Sequence, residues 1–328
     1  MTSRDRLRIK RTLMAMSFMA ALLTLGSSVG AATEEWPSKP MELVNPFSAG
    51  GAADVQARKL TELLSKELGQ PMVVRNVTGA GGAIAYNKVV KEKPDGYSMI
   101  WYSGAINTLS ANKQISFDYT AFDPIAGVGS ETVAIAVKKD APWKDLKEFL
   151  AYAKQNPGKV TVGNSGTGSV THMVPVALAK RAGVQLTHVP FGVGLAVAAL
   201  LGGKIDASSQ HPAEILSQVK SGEARVLAVS GDKRISLWPN VPTFKEAGVD
   251  LAYDQWRGIA GPKGLPKNVV EKLSEAIKKV VEGKEWAEFA ASVGSTPHYR
   301  DTAAFGSFVA EMDKVTKEIA ADAGLGKK

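Results

Sequence analysis

The chain has 328 residues, is 45% hydrophobic and 22% charged, carries a formal charge of +8 and contains no cysteine. That balance is globular and large enough for one or two cores. It excludes disulfides, thiolate metal sites and thiol catalysis.

Arg4, Arg6, Arg8, Lys10 and Arg11 precede an apolar run from Leu13 to Leu25, and small residues at Val29-Gly30-Ala31 and Ala32 follow. This is the layout of a secretory signal peptide, assigned to residues 1–31, and the run is short for a membrane anchor. Its removal takes away five basic residues and one acid, so +8 falls to +4. The remainder mildly favours anionic ligands. Without a basic stripe carrying interleaved aromatics, nucleic acid is not an expected partner. No later stretch is apolar and long enough to span a bilayer. An exported, cysteine-free chain of this size suits a bacterial periplasm.

Strands are expected at 41–46, 71–76 and 97–102, and helices at 54–68 and 83–91. In the first helix Val55, Leu60, Leu63, Leu64 and Leu68 are read as one apolar face ended by Gly69. The pattern restarts with strands at 133–137, 160–163, 186–190, 204–208 and 226–230. Helices are expected at 143–155, from the loop at 164–169 to about Ala182, and at 195–201. The last part reads as helices at 267–282, 286–293 and 302–323. Alternation of strand and helix predicts α/β architecture with mainly parallel sheets flanked by helices. Pattern breaks near 125–130 and 251–259 are read as crossovers between two lobes. Lobe 1 takes 35–126 plus 253–328, and lobe 2 takes 127–252.

Two loops of small residues share a design. Pro46–Asp54 and Gly163–Ser169 each follow a short apolar strand and enter a helix. Small residues let backbone N–H groups approach a ligand, and a helix N-terminus offers unpaired donors. In open α/β sheets ligands bind beyond the carboxyl ends of strands, where these loops fall. Each helix end favours an anion by about 0.3–1 kcal/mol, or ~2 when sheltered. One loop per lobe could clamp the two ends of a dicarboxylate. The plainer reading is two turns with N-caps, for which Asp54, Ser169 and Thr171 are suitable. Pro175 means that the second helix starts late or bends.

Catalytic motifs are near misses. Gly79-Ala80-Gly81-Gly82-Ala83-Ile84 has Ile84 where a dinucleotide fingerprint needs glycine. Gly163 to Val170 has Ser169-Val170 where a P-loop needs lysine and a hydroxyl. Gly163-Asn164-Ser165-Gly166-Thr167 misses the nucleophile elbow at Thr167. Ser165 or Ser169 with His172 remains a possible hydrolytic pair without an orienting acid. The four histidines, His172, His188, His211 and His298, show no metal-ligand spacing, so neither metal nor cofactor is expected. His188 reads as structural. His172 can donate to a ligand or hold its loop, and His211 is a pocket candidate or a surface turn residue.

The ordered set of motifs resembles the tripartite tricarboxylate transporter substrate-binding proteins, the TctC or Bug receptor family. It comprises Pro46 to Asp54, Leu68-Gly69-Gln70-Pro71, Val73-Val74-Arg75-Asn76, Gly79 to Gly82 and Pro94-Asp95-Gly96-Tyr97. Gly166-Thr167-Gly168-Ser169 with His172, Thr187 to Phe191, Leu200 to Asp206 and Pro239-Asn240-Val241-Pro242-Thr243 complete it. The resemblance covers nearly all of the chain after residue 31. It implies a two-lobed, periplasmic-binding-protein-like fold that closes on a small carboxylate in the cleft between lobes. It implies a monomeric receptor that performs no bond chemistry and delivers its ligand to one small and one large integral membrane subunit. It also implies that backbone N–H groups and ordered waters, rather than an arginine, hold the carboxylates.

Carried over by position, Phe47, Ser48, Ala49, Gly50, Gly51 and Asp54 form one jaw. Gly166, Thr167, Gly168, Ser169 and His172 form the other. Ser103, Phe191, Gly192, Gln210 and His211 line the sides. Ser48-Ala49 replaces a proline-containing pair, Phe191-Gly192 replaces Tyr-Lys, and Gln210-His211 stands where an acid is frequent; these departures bear on ligand choice. The alternatives in other classes are a periplasmic hydrolase using Ser165 or Ser169 with His172, and a ligand-sensing module for a membrane kinase.

Overall fold

The computed structural model describes residues 35–192 and 194–322. The signal-peptide reading of residues 1–31 lies outside them. The chain divides into two units, residues 1–38 and 39–328. Of the first, residues 35–38 are described and carry no helix or strand. Both lobes belong to the second unit.

The first sheet holds six strands in the order β11-β4-β10-β3-β1-β2. These are β1 (Met41–Asn45), β2 (Met72–Asn76), β3 (Ser98–Ser103), β4 (Phe122–Glu131), β10 (Gln255–Pro262) and β11 (Ser295–Arg300). The second holds five, β7-β6-β8-β5-β9. Its strands are β5 (Ala134–Lys138), β6 (Thr161–Asn164), β7 (Thr187–Pro190), β8 (Ala207–Gln210) and β9 (Ala224–Val229). Ten helices flank the sheets among the described residues: α1 (Ala52–Leu68), α2 (Ala83–Val89), α3 (Ala105–Ala111), α4 (Leu146–Gln155), α5 (Val170–Ala182), α6 (Leu195–Leu201), α7 (Pro212–Lys220), α8 (Lys267–Val281), α9 (Lys284–Ser292) and α10 (Thr302–Asp322).

The two-lobed α/β architecture is the one expected, but the sheets are mixed rather than mainly parallel. β1 is parallel to β2 and β3, and β6 is parallel to β7 and β8. β10 runs antiparallel to β3 and β4, β4 to β11, and β5 to β8 and β9. A βαβ unit makes parallel neighbours because its helix returns the chain to the same end of the sheet. β4 leads out of the first sheet and β10 leads back in, so these two neighbours run in opposite senses.

The break expected at 125–130 lies inside β4, and most of the one expected at 251–259 is β10. Pro124, Gly127 and Gly129 in β4, and Gly258 and Gly261 in β10, lower intrinsic strand preference. The strands exist because each has paired neighbours on both sides. At the ends of β4 and β10 the crossing segments are bound together. Thr132 Oγ1 lies 3.2 Å from Ser230 Oγ, which donates to Asp254 at 3.1 Å. Gly231 N–H donates to Thr132 Oγ1 at 3.0 Å.

Alternation puts apolar side chains inward. Val44, Tyr86, Ile100, Tyr102, Phe122, Trp256 and Phe305 form the core of the first lobe. Val133, Ile135, Phe149, Val162, Leu178 and Phe244 belong to that of the second. Helix α10 serves both: Phe305 and Val309 enter the first core, Ile319 and Ala320 enter the second, and Met312 packs against each. In α1, Leu60, Leu63 and Leu64 are buried as expected. Val55 is instead 38% exposed, and Gln56 takes the buried position beside it. Helix α5 starts at Val170, ahead of Pro175, and continues to Ala182. Pro175 therefore does not delay the helix; its missing N–H removes the bond that Thr171 C=O would otherwise accept.

Candidate ligand cleft

Three strand-to-helix junctions of each lobe meet at a cleft of about 480 Å³. The first lobe supplies Pro46–Ser48 and Gly51–Ala53, Thr78–Gly82, and Ala105, Thr108 and Leu109 with nearby Gln114. The second supplies Ser165–Thr171, Gly192, His211 and Glu214. Gln255 and Arg257 of β10 complete the lining.

The first loop is shaped by Asp54. Its carboxylate accepts from Gly50 N–H at 2.9 Å, Arg58 Nε at 2.9 Å and Asn76 Nδ2 at 2.8 Å. Asn76 also donates to Phe47 C=O at 2.9 Å. Burial works to raise the Asp54 pKa, but the bonds from Arg58, Gly50 and Asn76 together hold it below the usual carboxylate range. Gly50 has φ of 79°, a left-handed conformation that glycine takes without strain. The N-cap is Gly51, and the helix begins at Ala52 rather than Asp54.

The second loop is closed by its own side chains. Gly166 N–H donates to Asn164 Oδ1 at 3.0 Å and Ser165 N–H to Thr171 Oγ1 at 3.0 Å. Ser169 caps α5, its Oγ accepting from His172 N–H at 3.2 Å. Gly168 N–H donates to His172 Nδ1 at 3.0 Å. Because Nδ1 accepts, the neutral ring carries its proton on Nε2. Burial lowers the His172 pKa, which keeps that acceptor available. The His172 ring meets His188 edge-on with centroids 5.3 Å apart. Burial and then the His172 neighbour push His188 down to about 4.

These bonds leave specific donors open. Among the described residues, no protein acceptor takes the N–H of Ser48, Ala52 or Ala53 at the start of α1. The same holds for Thr167, Val170 and Thr171 at the start of α5. All six residues line the cleft. Two helix N-termini thus face one cavity with free donors, the geometry that holds an anion.

Of the residues singled out in the sequence, Phe47, Ser48, Gly51, Gly166, Thr167, Gly168, Ser169, Gly192 and His211 line the cleft. Ala49, Gly50, Asp54, Ser103, His172, Phe191 and Gln210 do not. Asp54 and His172 stand behind the loops and hold them. His211 Nδ1–H donates to Thr132 C=O at 3.2 Å, and its backbone N–H donates to Glu214 Oε2 at 3.3 Å. Ser165 Oγ donates to Gln210 Oε1 at 3.1 Å. Neither serine is bonded to a histidine ring nitrogen, so the hydrolytic pair is not assembled. Among the described residues no cluster of His, Asp or Glu could hold a metal ion, and no helix is long and apolar enough to cross a membrane.

Several parts of the lining have no ligand role in the sequence reading, Thr108, Leu109, Gln114, Glu214 and Gln255 among them. Gly79–Gly82 enters that reading as a near-miss dinucleotide motif and as part of the resemblance, without a place in the cleft. Its position after β2 and before α2 was the usable signal. Arg257 was passed over inside an expected crossover, although a lone charge in Gln255–Pro262 is conspicuous. Arg257 is buried, and its Nε donates to Glu131 Oε2 at 3.0 Å, with Nη2 bonded to the same oxygen. Gln56 Nε2 donates to Glu131 Oε1. Burial works to raise the Glu131 pKa, yet Arg257, His211 and these bonds together set it below the usual range. Burial raises the pKa of Glu214.

Comparison with known proteins decides the family. The model of the TctC tripartite tricarboxylate transporter family receptor matches residues 56–325. The chain belongs to this family. A relative in Cupriavidus necator, the UPF0065 protein in the gbd 5' region, is 33% identical over 310 residues, 94% of each chain. The structure of periplasmic binding protein BugD aligns with a TM-score of 0.80 at 31% identity, over 89% of this chain and all of BugD. Rpa4515 of R. palustris, solved with adipate, aligns with a TM-score of 0.83 at 26% identity, over 89% of this chain and 99% of its own. The TctC family is one of transporter receptors, not enzymes, and BugD is a periplasmic binding protein.

Proposed function

We propose that this chain is an exported periplasmic receptor that binds a small carboxylate between its lobes and delivers it to the two membrane subunits of a tripartite transporter. The observation that carries the reading is the pair of helix N-termini, α1 and α5, whose open N–H groups converge on one cleft. A carboxylate accepts several such bonds at once, and charge-assisted bonds are roughly twice as strong as neutral ones. The binding of adipate by a structural neighbour and the family's role support the choice of ligand class.

The lobe limits belong to this proposal. Residues 39–131 and 255–322 build lobe 1 around the six-stranded sheet, and the strands between 134 and 229 build the sheet of lobe 2. The crossing segments near Thr132, Ser230 and Asp254 are then the hinge, and α10 couples the two cores during closure.

The direct test is thermal unfolding of the chain lacking residues 1–31, refolded to strip carried ligand, against mono-, di- and tricarboxylates. Ligand at about 100 times its Kd adds ~2.7 kcal/mol, a shift of several degrees. Stabilisation by one class of acid supports the reading, and no stabilisation by any acid overturns it. Capture of the membrane subunits in detergent, dependent on the bound acid, tests the delivery step.

A further inference from the structure

We infer that Arg257 is a second anion anchor in the cleft, selecting ligands that carry a second acid group. The inference rests on the carboxylate reading above and names the side chain that would meet the far end of the ligand.

Strand β10 alternates across its sheet. Trp256 enters the core of the first lobe, while Gln255 and Arg257 lie on the opposite face and line the cleft. Gln255 is directly opposite Glu131 on β4, and Arg257 is opposite Gly129. Arg257 therefore reaches Glu131 diagonally, within the range of a long side chain. Both side chains are nearly inaccessible, at 3% and 1% exposure.

The pairing uses only part of the guanidinium. Nε and Nη2 both go to Oε2 of Glu131, and Gln56 takes Oε1. Nη1 is buried and, among the described residues, has no hydrogen-bond partner. A buried donor on a permanently charged group costs free energy unless something accepts from it. Among the described residues no side chain accepts from Nη1: His211 is bonded to Thr132, Glu214 Oε2 takes the His211 N–H, and Gln255 Oε1, on the same face, is itself buried without a partner. The ring of Phe47, in the first loop, lies 5.7 Å from the Arg257 guanidinium carbon. The guanidinium thus lies beside the same loop whose helix end offers free N–H groups.

A planar carboxylate is the acceptor this arrangement fits, because a guanidinium presents donors in a fixed fork. Glu131 already balances the charge of Arg257, so Arg257 contributes a directed bond more than a net field. A monoacid seated on the helix ends leaves Nη1 open. A diacid of the right length fills it.

The test uses matched acids, adipate against hexanoate and succinate against butyrate, with affinities from titration calorimetry. The wild-type protein is expected to prefer the diacid by at least about tenfold in one pair, the equivalent of one charge-assisted bond. Arg257→Gln should weaken the preferred diacid by at least about tenfold and change the matching monoacid less than about threefold. Glu131→Gln, which frees the guanidinium, should tighten the diacid. Arg257→Gln leaves Glu131 buried and unpaired; if it does not fold, Glu131→Gln with Arg257→Gln removes both charges and should lose the same preference. Diacid binding unchanged in the Arg257 variants, or both acids weakened alike, overturns the anchor. Monoacids bound as well as diacids by the wild-type protein also overturn it, leaving the carboxylate receptor intact. Failure to bind any of the four acids overturns both.

Discussion

Removing the Asp54 carboxylate should loosen the first loop more than it empties the cleft. Asp54→Ala deletes the acceptor for Gly50 N–H, Asn76 Nδ2 and Arg58 Nε. Hydrogen bonds to charged groups contribute about 1.5–3 kcal/mol each where they are sheltered. The Asp54 side chain is 4% exposed, but Arg58 is 53% exposed, so that pair adds only ~0–1 kcal/mol. The bonds share one carboxylate and are not additive, which brings the expected loss to about 2–4 kcal/mol. In a chain of this size 1 kcal/mol is worth ~2 °C, so the expected fall in Tm is about 4–8 °C. The pKa of Asp54 is depressed in the folded state, so its contribution is complete above the unfolded value of 3.8 and fades as pH falls below it. The wild-type advantage over Asp54→Ala, read from urea unfolding between pH 2.5 and 7, should therefore be flat above about pH 5 and shrink toward acid. A loss below ~0.5 kcal/mol at pH 7 would refute the scaffold role. Abolished carboxylate binding with unchanged stability would make Asp54 a ligand contact instead.

Strand β7, whose His188 packs on His172 behind the second loop, should carry its own pH signature. His188 is pushed down to about 4 in the folded protein, so the folded state binds fewer protons than the unfolded state between there and the ordinary 6.5. Stability contributed by this group is complete above 6.5 and lost as pH falls toward about 4, and His188→Asn should lack that loss. Full linkage across the window would give ~3 kcal/mol, and screening of the partly exposed ring reduces this to about 1–2 kcal/mol. Parallel pH profiles of the two proteins in urea unfolding would contradict the burial of the ring. Glycine substitutions should separate strain from obstruction. Gly50→Ala costs ~1–2 kcal/mol through its φ of 79° alone, since an added Cβ meets nothing within 4 Å. Gly82→Ala adds a contact of 3.1 Å with Pro46 Cβ at φ of 107°, in the cleft wall, and should weaken binding of whichever carboxylate stabilises the wild-type protein, as well as stability. An effect on that affinity larger at Gly50 than at Gly82 would show that the cleft is wrongly drawn.

The sequence by itself determined the elements whose preferences are local. Helix α1 follows from Leu60, Leu63 and Leu64 recurring at helical spacing, and its end from Gly69, which takes φ of 68° at the C-cap. The two small-residue loops were legible because glycine, serine and a following helix carry their geometry within ten residues of chain. Gly50 stands outside the cleft lining and gives its N–H to Asp54, which the sequence did not show because periodicity does not say which way a loop residue faces.

Tertiary structure decided what depends on distant partners. β4 and β10 hold proline and glycines that disfavour strands, and exist through pairing with each other and with β3 and β11. Arg257 and Glu131 are 126 positions apart, and only the antiparallel register of β4 against β10 brings them together. Gly79–Gly82 joined the cleft because β2 lies beside β1 in the sheet, which ends both strands at the same edge. Local sequence fixes φ, caps and periodicity at short range. The order of strands, and hence which loop ends share a cavity, is set by the packing of two sheets whose contacts span the whole chain.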